Sequence, residues 1–138
     1  MRSAHEVRAY LLRRGAAPEA AARALTACRA QGLIDDAACA RLWADHWARR
    51  GYAAAAIRAK LSEKGLDART IDRAVDDLVP STDDAARARA LLDRRLERAP
   101  RASRPALARL LTARGFDPDV TEQVLDASLG PAPSHAES

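Results

Sequence analysis

Lys64-Gly65-Leu66-Asp67 and Arg114-Gly115-Phe116-Asp117 are one phrase, basic-glycine-apolar-aspartate, written twice at a spacing of fifty residues, and a third basic-glycine pair, Arg14-Gly15, stands fifty residues before the first. Each pair closes an amphipathic segment and is followed by a turn and a second amphipathic segment. Glycine accepts the left-handed backbone that ends a helix, and Asp67 and Asp117 stand where an N-cap would start the next one. Read outward from these points, the chain is one helical module repeated three times. A repeat of this kind buries apolar faces between neighbouring helices and offers an extended surface in place of a closed catalytic pocket.

The apolar spacing fills in the modules. Val7, Tyr10 and Leu11 follow a helical period up to Arg14, and Pro18 suits the first turn of a second helix with Ala21, Leu25 and Cys28 inward. Gly32 ends that helix. Asp35 is the expected N-cap of the next, Asp36 sits favourably in its first turn, and Cys39, Leu42, Trp43, His46 and Trp47 are expected on one inward face. After Gly51, a helix from about Ala53 to Lys64 turns Ile57 and Leu61 inward. Leu66 then acts as a staple residue ahead of Ile71, Ala74, Val75 and Leu78. Asp83-Asp84 echoes Asp35-Asp36 and opens a helix burying Ala88, Leu91, Leu92 and Leu96. Ser103 caps a helix carrying Leu107, Leu110 and Leu111, and the last helix carries Val120, Val124, Leu125 and Leu129.

The expected organisation is therefore an all-α, elongated array of tandem three-helix repeats: residues 1–34 as a first repeat of two helices, 35–80 and 81–129 as two complete repeats, and 130–138 as a disordered tail. The first repeat lacks its first helix, so either the array is short at that end or its true start lies upstream of Met1.

Composition agrees with helices. The 138 residues are 48% apolar and 30% charged but only 4% aromatic, poor material for filling the faces of a β-sheet. The net charge of +4 and pI near 9.7 permit an anionic partner without requiring one. Two lone cysteines, Cys28 and Cys39, with His5, His46 and His135 scattered, do not have metal-ligand spacing, and no export signal opens the chain, so a cytoplasmic, metal-free and cofactor-free protein is expected. No Gly-rich phosphate loop and no nucleophile with a base at motif spacing is present, which argues against an enzyme.

The stretch Gly32-Leu33-Ile34-Asp35-Asp36, followed by Ala40, Trp43 and Lys64-Gly65, resembles the RecX family of regulatory proteins, and Arg2-Ser3 ahead of Glu6 is similar to the Arg-x-x-Ser stretch that starts that family's second helix. The resemblance runs over about residues 2 to 129. It implies a non-enzymatic modulator of the RecA recombinase, lying along the RecA–DNA filament and depressing strand exchange, ATP hydrolysis and co-protease activity, and hence a role in DNA recombination, repair and the SOS response. The chain departs from the pattern at Cys39, where the family commonly has Phe, at Trp47, where a basic residue is common, and at Ala53-Ala54-Ala55-Ala56, which replaces a Gly-Pro-basic-basic stretch.

Two basic groups are the candidate partner-binding residues: Arg49, Arg50, Arg58, Lys60 and Lys64 in the middle module, and Arg94, Arg95, Arg98, Arg101 and Arg104 in the last. Guanidiniums in such density can grip phosphates or carboxylates in bidentate fashion, although a solvated helix face is the commoner fate of a charge run. Asp35, Asp36, Trp43 and Gly65 are the structural motif, read as helix start, core and turn. The expected partner is the RecA filament on DNA, with direct contact to DNA phosphates as a further possibility, no membrane, and the protein acting as a monomer. A general nucleic-acid-binding helical module is the alternative.

Overall fold

The computed structural model describes residues 3–131, and within them the chain is all α-helical, with no strand element. The helices are α1 (Ala4–Arg13), α2 (Pro18–Ala30), α3 (Asp36–Arg49), α4 (Ala54–Glu63), α5 (Ala68–Leu78), α6 (Asp84–Arg98), α7 (Arg104–Ala113) and α8 (Pro118–Leu129), with a 3-10 turn at Ser81–Asp83 ahead of α6. Of the expected tail, Gly130 and Pro131 are described, and residues 132–138 lie outside the described residues, as does Arg2.

The fifty-residue register is visible residue by residue. Helices α1, α4 and α7 begin at 4, 54 and 104. Leu61, Leu66, Ile71, Ala74 and Val75 are buried, and so are Leu111, Phe116, Thr121, Val124 and Leu125 fifty positions later. In the first copy Ala21 and Leu25 are buried, while Leu11 and Ala16 are half-buried. The glycine of each phrase has positive φ, +92° at Gly15, +81° at Gly65 and +91° at Gly115, as a left-handed helix end requires.

Side-chain caps set the helix starts. Ser3 accepts from the N–H of Glu6, Asp67 from Thr70, Ser103 from Ala106 and Asp117 from Val120. Asp35 caps α3 as expected, accepting from Ala38 at 3.0 Å. Asp36 does something the sequence did not suggest: its carboxylate accepts the N–H of Ala4 at 2.8 Å, closing the start of α1 thirty-two residues earlier. Asp84 does the same for α4 by accepting from Ala54 at 3.0 Å. The echo of Asp35-Asp36 in Asp83-Asp84 is therefore a likeness of the second aspartates, because Asp83 lies in the 3-10 turn and makes no side-chain cap.

The chain forms two compact units, one of residues 1–46 and 57–79, the other of 47–56 and 80–138. Helices α3 and α4 each contribute to both. In the first unit, Ala4, Leu25 and Ile34 make a small cluster with Val7 and Cys28 against it. In the second, Ala53, Ala88, Leu91, Leu92, Leu107, Leu111, Phe116, Val124 and Leu125 form one larger core.

Three expected inward residues face out. Leu42 is 61% exposed, and Leu78 and Leu129 are also exposed. On α3 the buried residues are Cys39, Ala40 and Ala44. Leu42 stands two residues from both alanines, about 200° round the helix from each, so burying their methyl groups turns it toward water. Leu78 and Leu129 sit at the last positions of their helices, where the stripe runs out of partners.

Candidate functional site

The second unit holds a cleft of about 360 Å³ whose walls carry six arginines: Arg49, Arg50, Arg94, Arg95, Arg98 and Arg114. Tyr52 and Leu91 complete the lining. Local structure explains the convergence. Leu91, Arg94, Arg95 and Arg98 fall at i, i+3, i+4 and i+7, one face of α6. Arg49 and Arg50 stand at the C-terminal end of α3, where cations complement the negative end of the helix dipole. Gly51, at φ +84°, turns the chain beside α6: a methyl group there would lie 3.1 Å from Leu91 Cδ1 and 3.3 Å from Arg94 Nη2. Among the described residues no carboxylate lines the cleft.

Three guanidiniums, two of the lining and that of Arg87, tie down the turn after α3. The Nη2 of Arg94 points to the carbonyl of Arg49 at 3.5 Å, Arg114 donates to the carbonyl of Arg50, and Nε of Arg87 donates to the carbonyl of Tyr52 at 3.3 Å. Arg114 also lies over the ring of Tyr52, 4.8 Å from its centroid, and that ring meets Trp47 edge to face at 5.3 Å. Arg87 is itself held by Asp84 and by the carbonyl of Pro80 at 3.3 Å.

The two basic groups read from the sequence are thus redistributed. Arg49 and Arg50 share the cleft with Arg94, Arg95 and Arg98, while Arg58, Lys60 and Lys64 belong to the first unit. There Arg58 bonds Asp72 and, at 2.5 Å, Asp76. Lys60 is half-buried on α4, and Lys64 Nζ stands 3.7 Å from the ring centroid of Trp43. Arg101 is exposed between α6 and α7. Arg104 opens α7, bonding Asp126 at 2.6 Å and the carbonyl of Gly130 at 3.1 Å.

Arg114 was missed as a site residue, although a signal for it exists. The basic residue before each module glycine covers an aromatic ring: Arg14 over Tyr10 at 5.1 Å, Lys64 over Trp43 and Arg114 over Tyr52. Ala53 and Ala54, at the Gly-Pro positions of the stretch implied by resemblance, are buried, while Ala55 and Ala56, at its basic positions, are exposed and half-buried and carry no charge. Gly65 packs where a methyl group would come within 2.1 Å of His5 Cγ, and Trp43 also meets His46 edge to face at 5.3 Å. Burial, with the carboxylates of Glu6 and Asp36 nearby, pushes the Cys39 thiol above its ordinary pKa, which keeps it protonated and unreactive. No group of three or more metal-ligating side chains occurs among the described residues, and no helix there is long and apolar enough to cross a membrane.

Comparison with known proteins finds likenesses over part of the sequence and over the fold. Residues 35–75 match the family described as RecX, second three-helix domain. The chain is 44% identical over 66 residues to the regulatory protein RecX of Thermobifida fusca (strain YX); that stretch is 47% of this chain and 35% of the relative's length. The fold is similar to the crystal structure of RecX from Lactobacillus salivarius, with a TM-score of 0.73 at 17% identity over 92% of this chain and 85% of the other. It is also similar to a crystal structure of a regulatory protein RecX, with a TM-score of 0.72 at 25% identity over 91% of this chain and 64% of that one.

Proposed function

We propose that this chain is a regulatory protein of the RecX family that binds the RecA recombinase filament on DNA and lowers its strand-exchange, ATPase and co-protease activities by occupying it, with no chemistry of its own. The matched stretch spans only about a third of the length of the curated relative, so the activity rests on this proposal. The observation that supports it is the arginine cleft: six guanidiniums on one concavity, with no carboxylate in its lining, attract an anionic surface such as acidic side chains or phosphates of a protein-coated nucleic acid. The protein acts in the cytoplasm, as a monomer.

The test is a titration of RecA ATP hydrolysis stimulated by single-stranded DNA. The wild-type chain lowers the rate, and the double reversal R95E/R98E, checked for unchanged helicity and melting, loses most of that effect. A rate that stays flat over a wide range of added wild-type protein overturns the reading. A second reading, nucleic-acid binding that needs no RecA, is favoured by the donor-only chemistry of the cleft and is separated by comparing affinity for bare and RecA-coated DNA.

A further inference from the structure

The cleft is built against the C-terminal end of α3, which on its own is a poor place for an anion. The last carbonyls of a helix carry the negative end of its dipole and have no partners within the helix. Here the carbonyl of Arg49, the last residue of α3, and those of Arg50 and Tyr52 in the turn that follows are met by the guanidiniums of Arg94, Arg114 and Arg87. Each carbonyl so engaged is one acceptor fewer beside the residues of the cleft. Arg114 is further held by the ring of Tyr52, and Arg87 by Asp84. Arg50, Arg95 and Arg98 have exposed side chains in the same cleft and form no ion pair among the described residues.

With these carbonyls engaged, the groups the cleft presents to a ligand are dominated by guanidinium N–H donors. A peptide would bring N–H groups of its own and leave them unmatched, and base edges likewise need acceptors as well as donors. A phosphodiester presents charged oxygens that only accept, and each can take a two-pronged guanidinium. Tyr52, the one aromatic ring in the lining among the described residues, has Arg114 over one face and Trp47 against it edge to face, which makes it a poor platform for stacking a base.

We infer that Arg50, Arg95 and Arg98 grip the phosphodiester backbone of a nucleic acid without reading its bases, and that Arg94, Arg114 and Arg87 are positioning residues that neutralise the end of α3 so that the backbone can approach. This deepens the proposed function by naming the ligand of its cleft, and it rests on that reading only in using the same surface.

The two roles separate in salt dependence. Each phosphate contact adds a released counterion, so the slope of log affinity against log salt falls by about 0.7 for every contact removed from a single strand. The full chain is titrated, without RecA, against fluorescein-labelled oligothymidylate at several salt concentrations by anisotropy. Arg95→Gln and Arg98→Gln each weaken binding and flatten the slope by about that amount. Arg114→Gln, matched to wild type in helicity, weakens binding and leaves the slope as it was. Oligoadenylate and oligouridylate bind as tightly as oligothymidylate, and tripolyphosphate competes where polyglutamate of equal charge does not. The inference is overturned if Arg114→Gln flattens the slope as Arg95→Gln does, if Arg95→Gln and Arg98→Gln leave it unchanged, or if polyglutamate competes equally. If the wild-type chain lowers RecA ATP hydrolysis but binds no oligonucleotide, the inference fails and the RecA reading stands; oligonucleotide binding as described with no effect on RecA is the reverse case.

Discussion

At Thr121 a hydroxyl is buried with no hydrogen-bond partner among the described residues, whereas fifty positions earlier the same register holds Ile71. An unmet buried hydroxyl costs about 1–3 kcal/mol, so Thr121→Val, nearly identical in shape, raises unfolding stability by about 1 kcal/mol, seen as a higher urea midpoint at unchanged m. The glycines make a sharper contrast. A methyl at Gly65 meets the ring of His5 at 2.1 Å and one at Gly15 meets nothing within 4 Å, although both have φ beyond +80°. Gly15→Ala therefore costs only the backbone strain of about 1 kcal/mol, and Gly65→Ala costs at least about 2 kcal/mol more, compared in parallel denaturant melts. From the sequence both glycines read as equal punctuation. The spacing reveals that a left-handed turn is needed, but what stands beside the turn comes from a segment sixty residues away.

At the scale of helices, nearly every boundary was legible, because caps and terminators are local: Asp67, Ser103 and Asp117 act on the next turn of their own chain. Reaching contacts were not legible. Asp36 and Asp84 look like first-turn acids yet satisfy the N–H groups of Ala4 and Ala54, and the orientation of α3 is decided by which alanines pack closely, which no hydrophobic count records. The two kinds of aspartate can be told apart. Asp35→Ala removes one exposed cap and costs about 1 kcal/mol. Asp84→Ala frees a donor at the start of α4 and strips the carboxylate from Arg87, in a pair only 16% and 14% exposed, so it costs about 3 kcal/mol. Equal losses in thermal melts of the two variants would show that the reach across helices carries no weight.

For the molecule as a whole, the basic residues were visible in the sequence while their division was not. Periodicity placed Arg94, Arg95 and Arg98 on one face, but that Arg49 and Arg50 join them, and Arg58 is engaged by Asp72 and Asp76, depends on how the chain is shared between two units. Charge reversal should sort them. R58E faces two carboxylates and lowers stability by at most about 1 kcal/mol, since the pairs are well exposed, while leaving oligonucleotide affinity within about twofold. R95E/R98E does the opposite, holding its melting point and losing affinity by more than tenfold at low salt, as filter binding and calorimetry together would record.

The aspartates that close α1 and α4 also set a direction in time. During synthesis from the N-terminus, α1 leaves the ribosome with its leading amide open until Asp36 has been made, and α4 waits thirty residues for Asp84. Each of these two helices is completed by the segment that emerges after it, so a nascent chain stalled before Asp36, or between α4 and Asp84, would carry one helix with its leading amide unmet, and the finished protein locks from behind as translation proceeds.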